Sequence, residues 1–244
     1  MLYKYETHLH TSEVSKCGKN TAVEMMRAHK KAGYTGVFVT DHFFNGNCTI
    51  PRHLSWKEQV DLFVRGYKLA ESEGEKLDLD VFFAWEYVNN PFGEDYLIYN
   101  LDYDFLLAHP EQEHLPFEEY SRLIRENGGY LIQAHPYRTA DYILYEANPK
   151  VDLIDGVEVN NTTSDSPHNH NELAWELARA NPQLMRISGT DIHNTDLVGL
   201  GGVAFPYRIK SSQHLIDALN AGDGYLIIDG EITDMEGNKV DKTV

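Results

Sequence analysis

The sequence predicts an α/β fold built on parallel strands and closed into a barrel, and three observations carry that prediction. Short apolar runs rich in Val, Ile, Phe and Tyr alternate with helical patterns along most of the chain. Such alternation implies parallel strands joined by right-handed crossovers, in an open doubly wound sheet or a barrel. Histidines and acids fall at the ends of several runs: His8-Leu9-His10, Asp41-His42, Glu86, His135-Pro136 and Asp191-Ile192-His193. A barrel gathers the ends of many strands at one mouth, whereas an open sheet gathers them only around its switch point, so ligands from this many strand ends favour the barrel. The length, 244 residues, suits one such domain.

The elements follow in order. The chain enters a first strand over 3–10, and further strands are expected at 36–40, 81–85, 96–100, 129–134, 156–159, 184–188 and 201–204. A helix is expected over 20–32, with Val23, Met26 and either Met25 or His29 at helical spacing, Asn20 or Thr21 as N-cap, and Gly33 at its end. A second helix over 55–74 shows the stripe Val60, Phe63, Val64, Tyr67 behind a Ser55-x-x-Glu58 capping box. Further helices are expected at 117–127, 171–181 and 211–221, the last before Gly222. One barrel domain is assigned to 1–228, and 229–244 reads as a polar tail or a short hairpin around Glu236-Gly237-Asn238.

Composition narrows the function. Lys and Arg number 21 against 38 Asp and Glu, a formal charge of −17. A duplex nucleic-acid binder normally carries a basic stripe that displaces counterions, and no Lys/Arg cluster here supplies one, so duplex nucleic acid is not an expected partner. No basic-then-apolar leader and no run of about twenty apolar residues occurs, which predicts a soluble, cytoplasmic protein and no membrane partner. The two cysteines, Cys17 and Cys48, are too few for a disulfide framework. Dinucleotide, Walker and nucleophile-elbow motifs are missing, so nicotinamide, ATP-driven and serine-hydrolase chemistry lack support.

The histidines and acids support metal binding. Neutral imidazole nitrogens and ionised carboxylate oxygens are the usual donors to divalent Zn, Mn and Fe. His8 and His10, two apart on an extended strand, share a face. Asp191 and His193 repeat that spacing near the other end of the chain, and the two pairs meet only through folding. His29, His53, His114 and His214 are read as solvated surface.

The ordered set His8-x-His10-Thr11, Thr40-Asp41-His42, Glu86, Ala134-His135-Pro136 and Gly189-Thr190-Asp191-Ile192-His193 resembles the PHP family, named for polymerase and histidinol phosphatase, over residues 5 to 222. The resemblance implies a distorted (β/α)7 barrel with two or three divalent ions (Zn, Mn or Fe) that hydrolyses phosphate esters. It implies His8, His10, His42, Glu86, His135, Asp191 and His193 as ligands, with Glu86 bridging two ions and Asp41 orienting a ligand. Two family positions are filled differently here. The residue expected just ahead of a glycine after the first pair is either Glu13 or Cys17, with Glu13 favoured as the harder donor. Where relatives place a histidine after Glu86, Asp95 stands in the matching place and His109 is its rival.

The expected chemistry is hydrolysis of the phosphate ester of a small metabolite by a hydroxide bridging the ions, with no protein nucleophile. Asp191, His193 or a bound water protonates the leaving alkoxide. Arg138, three residues beyond His135, is either the guanidinium that binds the phosphoryl oxygens or a surface partner of Asp141. The polar stretch 160–170, with His168 and His170, is expected to help select substrate or to cap the following helix. Two other readings remain: an oligonucleotide phosphodiesterase, and a non-catalytic metal-binding regulatory module.

Overall fold

A computed structural model describes residues 1–162 and 168–240; residues 163–167 of the polar loop and 241–244 of the C-terminal segment lie outside the described residues. The fold is mixed α/β. Among the described residues eleven strands, β1 (Tyr3–Leu9), β2 (Gly36–Val39), β3 (Asp80–Phe83), β4 (Trp85–Asn89), β5 (Glu94–Tyr99), β6 (Tyr130–Gln133), β7 (Gly156–Asn161), β8 (Met185–Gly189), β9 (Gly201–Phe205), β10 (Tyr225–Ile228) and β11 (Glu231–Thr233), divide between two sheets. One runs β11-β10-β9-β1-β2-β3 and the other β4-β5-β6-β7-β8.

The wholly parallel arrangement gives way to a mixed one, and among the described residues no closed sheet forms. The pairs β1–β2, β2–β3, β6–β7 and β7–β8 are parallel, whereas β4–β5, β5–β6, β1–β9, β9–β10 and β10–β11 are antiparallel. A parallel neighbour requires a crossover of a dozen or more residues. The links between β4 and β5 and between β10 and β11 contain no α-helix, and both pairs are antiparallel. The segment 81–85, expected as one strand, breaks at Ala84. β3 pairs with β2 in the first sheet, while Trp85 onward pairs with β5 in the second.

The two sheets touch at both seams through bridges beside the strand ends. On one side His10 N–H donates to Ile192 O at 3.0 Å and Ile192 N–H to His8 O at 3.2 Å; on the other, Glu86 N–H donates to Asp41 O at 3.1 Å and Phe43 N–H to Glu86 O at 2.7 Å. Side chains add to the stitching, with Thr7 Oγ1 donating to Ser188 O and Tyr99 Oη to Thr7 O, both at 2.7 Å. Gly189 permits the close approach there, since a Cβ on it would lie 2.5 Å from Glu158 Oε1 and 2.7 Å from the His8 Cβ.

Helices α1 (Ala22–Lys31), α2 (Trp56–Phe63), α3 (Arg65–Leu77), α4 (Tyr103–Ala108), α5 (Phe117–Glu126), α6 (Asn171–Ala180) and α7 (Ser212–Ala221) cover the sheets. Capping boxes open α1 at Thr21 with Glu24 and α2 at Ser55 with Glu58, each worth about 1 kcal/mol. The helix expected over 55–74 breaks at Val64 into α2 and α3. The break lets α2 tie to α4 through Trp56 Nε1 and Leu106 O at 2.8 Å, while α3 lays Gly66 against Thr11 and Asp41. The interior between the sheets is filled by Tyr5, Phe38, Tyr99, Ile132, Val157 and Val203, all fully buried. Each such side chain contributes roughly 1.5–3 kcal/mol on burial. No helix of the described residues is long and apolar enough to cross a membrane.

Candidate metal centre

The seam bridges bring the ends of β1, β2, β6 and β8 and the first residues of β4 and β5 to one place. Glu86, in β4, lies at its middle, with Oε1 at 3.1 Å from His8 Nε2 and 3.4 Å from His135 Nε2, and Oε2 at 2.6 Å from His42 Nδ1 and 3.5 Å from His10 Nε2. Asp191 Oδ1 sits 3.0 Å from His10 Nε2, 3.5 Å from His8 Nε2 and 3.8 Å from His193 Nε2. The donor atoms fall into three overlapping groups: His8, Glu86, His135; His8, His10, Asp191; and His10, His42, His193. Both His135 and Asp191 hold positive φ, 28° and 52°. Non-glycine residues adopt that region at a cost of about 1–3 kcal/mol, and such strain clusters at functional sites.

The surrounding hydrogen bonds turn the imidazole lone pairs inward. His8 Nδ1 donates to Glu158 Oε1 at 3.1 Å, which leaves Nε2 facing Glu86 and Asp191. Glu158 also accepts from the His135 backbone N–H at 3.0 Å. Ser15 Oγ donates to Asp41 Oδ1 at 2.7 Å and so accepts from His10 Nδ1 at 3.1 Å, which leaves His10 Nε2 only 3.2 Å from His8 Nε2. Asp41 is saturated by Thr11 N–H, Thr11 Oγ1 and Ser15 Oγ, and through Ser15 it bears on His10.

The cluster fits divalent ions. Glu86 Oε2 and His135 Nε2 are buried with no hydrogen-bond partner, and acceptor atoms converge on one another at hydrogen-bond distances. Such groups are costly to bury unless a cation lies among them. The titration tendencies express the same demand. Burial alone would discharge His8, yet the charges of Asp191, Glu158 and Glu86 push it well above the usual histidine range. Burial works against ionising Glu86 and Asp191, but His42 and His8 hold the first, and Arg138 and His8 the second, well below the usual carboxylate range. His10 is lowered to about 3, by burial and by the charges of His42 and His193.

Not every expected residue joins the cluster. Glu13 does not: its carboxylate accepts from the Ala22 N–H at 3.0 Å, satisfying a free amide at the start of α1. Its rival Cys17 lines the cleft with His42 and His193 instead. Burial raises the thiol, but those two imidazoles outweigh it and bring it down to about 6. Asp95 stands at the edge, 3.8 Å from His135 Nε2, and burial followed by the charge of Glu86 raises it well above the usual carboxylate range. His109 is elsewhere, its Nδ1 donating to Phe105 O and its ring against the Phe105 ring.

His29, read as surface, is fully buried, with Nδ1 donating to Met25 O at 2.8 Å. Sequence reasoning also missed Glu6 and Glu158, both fully buried. Glu6 accepts from the Thr7, His8 and Thr190 backbone N–H groups at 3.0, 3.0 and 3.1 Å and so pins the ends of β1 and β8.

Arg138 lies over the cluster. Its Nη2 donates to Asp191 Oδ2 at 2.6 Å and Asn161 Oδ1 at 3.2 Å, and its Nε to Asn169 Oδ1 at 2.6 Å. The surface partner Asp141 is thus replaced by Asp191. A cleft of about 1060 Å³ opens above, lined by Arg138, Glu86, Asp95, Asp191, His193 and Cys17 among others.

No family model and no curated protein matches the chain. Solved structures do. One is a two-domain protein from Bacteroides vulgatus containing a predicted PHP-like metal-dependent phosphoesterase (TM-score 0.62, 14% identity, 95% of this chain and 66% of that one). Another is PsfC from Pseudomonas syringae (0.57, 16%, 88% of each). A third is PfuEndoQ, a lesion-specific endonuclease from Pyrococcus furiosus (0.61, 15%, 91% of this chain and 56% of that one). This chain therefore spans less than two thirds of the first and third of these proteins. At such identities the likeness is one of fold alone, shared with the protein that contains a predicted PHP-like metal-dependent phosphoesterase.

Proposed function

We propose that this chain is a PHP-family metal-dependent phosphoesterase, a hydrolase that acts on a small phosphorylated metabolite such as a sugar phosphate, histidinol phosphate or a nucleotide. The observation that carries the reading is Glu86: one buried carboxylate within 3.5 Å of four imidazoles drawn from both sheets. A fold shared with PHP-like proteins and the ordered motifs quoted above support it. In this reading the strand ends form the mouth of a distorted (β/α)7 barrel interrupted between its two sheets.

His8, Glu86 and His135 would hold one ion, His10 and Asp191 with His8 a second, and His42 and His193 with His10 a third. Two or three divalent ions, Zn, Mn or Fe, held there screen the charge on phosphoryl oxygens and acidify water to a pKa near about 7. The chain's own residues divide the remaining tasks. Arg138, held by Asn169, Asn161 and Asp191, lines the cleft and orients the phosphoryl group. Asp191 is consumed by its contacts to Arg138 and His10. His193 lines the cleft with 23% of its side chain exposed and is placed to deliver a proton to the leaving oxygen. Of the two catalytic residues expected from sequence, Asp191 serves as a ligand, and His193 serves as the acid where two ions are bound and as a ligand where a third is.

The charge of −17 favours a small substrate over duplex nucleic acid. Release of inorganic phosphate from a panel of monoesters with added Mn²⁺ tests the proposal. Turnover lost in His10→Ala and Asp191→Ala is the expected result. Cleavage of single-stranded oligonucleotides without monoester turnover would favour the phosphodiesterase reading, and bound metal with no turnover on any ester the regulatory one.

A further inference from the structure

We propose that Tyr142 is a specificity-determining residue that stacks on a planar nitrogen heterocycle in the leaving group, so that the substrate is a nucleoside monophosphate rather than a bare sugar phosphate. This deepens the function proposed above and rests on it for the phosphoryl end. The large apolar side chains exposed among the described residues are Met1, Phe92, Tyr142, Leu144, Tyr145 and Leu173. Phe92, Tyr142, Leu144 and Tyr145 belong to two segments that meet at the rim of the cleft. Exposed apolar residues scattered singly are ordinary, whereas a group of them beside a cleft marks a binding surface.

Both segments continue from the metal centre. The turn that carries Phe92 joins β4, with Glu86, to β5, with Asp95; Gly93 N–H donates to Asn89 O and Asn90 Nδ2 to Asn45 O, both at 3.0 Å. The loop after His135 is fixed at Thr139, whose N–H donates to His168 O at 2.8 Å, and it turns where Ile143 N–H donates to Ala140 O at 2.9 Å. The Tyr145 and Phe92 rings meet edge to face with centroids 5.1 Å apart, and a Cβ on Gly93 would lie 3.4 Å from Ile143 Cγ1. The two segments therefore brace each other. Tyr142 is left 65% exposed on the wall of the cleft, on the same loop as Arg138.

That wall suits a base. At about 1060 Å³ the cleft lies at the upper end of the roughly 300–1,000 Å³ usual for small-molecule sites, with room beyond a phosphoryl group and a pentose. An exposed aromatic face stacks on any base, because every base has a π-face. Asn90, Thr139 and Asp141 line the same rim and offer amide, hydroxyl and carboxylate partners to ring nitrogens and exocyclic groups, which a hydrocarbon ring lacks.

5′-AMP and ribose 5-phosphate present the same ester to the cluster and differ by the base. Calorimetry on the Mn²⁺-loaded protein with their phosphonate analogues, in which a C–P bond replaces the scissile ester, reads binding apart from turnover. The wild type should bind the adenosine compound about tenfold or more tightly than the ribose compound, as stacking on one base predicts. Tyr142→Ala should remove the difference, and Tyr142→Phe, which keeps the ring, should retain it. Equal affinities in the wild type, no binding of either compound, or a difference that survives Tyr142→Ala overturns the proposal; phosphate released from ribose 5-phosphate in that case leaves the phosphoesterase standing. A preference for the adenosine compound with no phosphate released from either ester upholds the stacking residue and overturns hydrolysis at the site. A wild-type dimer that Tyr142→Ala dissociates, with equal affinities for the two compounds, assigns the rim to a second copy of this chain and overturns the proposal.

Discussion

The two sheets bring different chemistry to one seam. The six-stranded sheet delivers His8, His10 and His42 at the ends of β1 and β2, and its buried acids, Glu6 and Asp41, are spent on backbone amides and hydroxyls. The five-stranded sheet instead presents its acids to imidazole: Glu86 and Glu158 face His8, and Asp191, just past β8, faces His10. On one side carboxylates build the scaffold, and on the other they complete the site. Neither sheet alone holds a complete set of donors, so the centre exists only where the seams close. A buried charge deprived of its partner costs several kcal/mol, which makes the cluster both the chemistry of the molecule and a condition on its assembly.

The comparison is broken most severely at Glu86, the acid shared by both sides. Glu86→Gln keeps the shape and removes the charge. Phosphate release should fall by about 10³-fold or more, as expected for loss of a principal electrostatic group, with bound metal reduced in parallel by elemental analysis. Metal removal comes next. At an ion concentration one hundred times the dissociation constant, binding stabilises by about 2.7 kcal/mol, so a chelator should lower the Tm in a thermal scan by roughly 5–10 °C. Glu158→Gln should act more mildly, because it weakens the orientation of His8 and the hold on the His135 amide and removes no residue of the three donor groups. Calorimetric metal affinity should drop about 10–100-fold, and an unchanged affinity would remove Glu158 from the account. Glu13→Gln is the smallest change: at most about 1 kcal/mol of stability from the α1 amide, with metal content unaltered.

Much of this was legible in sequence where the clustered histidines and acids sit at strand ends, because such pairs beside apolar runs mark those ends directly. The parallel reading passed over one signal, for the β4–β5 pair: the interval between Glu86 and Tyr96 holds Asn90-Pro91-Phe92-Gly93, turn residues too few for a parallel crossover. Glu158 left a quieter signal, a single acid between Val157 and Val159 in a run that reads as fully buried, where an ionised group must have a partner. The choice between Glu13 and Cys17 could not be made from donor hardness, because hardness says nothing of which competing group, here the Ala22 amide, reaches the carboxylate first. The break at Val64 was hidden for a similar reason. The apolar stripe continues across it, and only packing of Gly66 on Thr11 and Asp41 demands the turn.

Anomalous diffraction from crystals of the metal-loaded protein tests the central claim most directly. The account predicts two or three peaks inside the seam, with Glu86 contacting more than one of them and imidazole nitrogens at about 2.0–2.1 Å. Peaks confined to surface acids, with Glu86, His8 and His135 left without an ion, would contradict it.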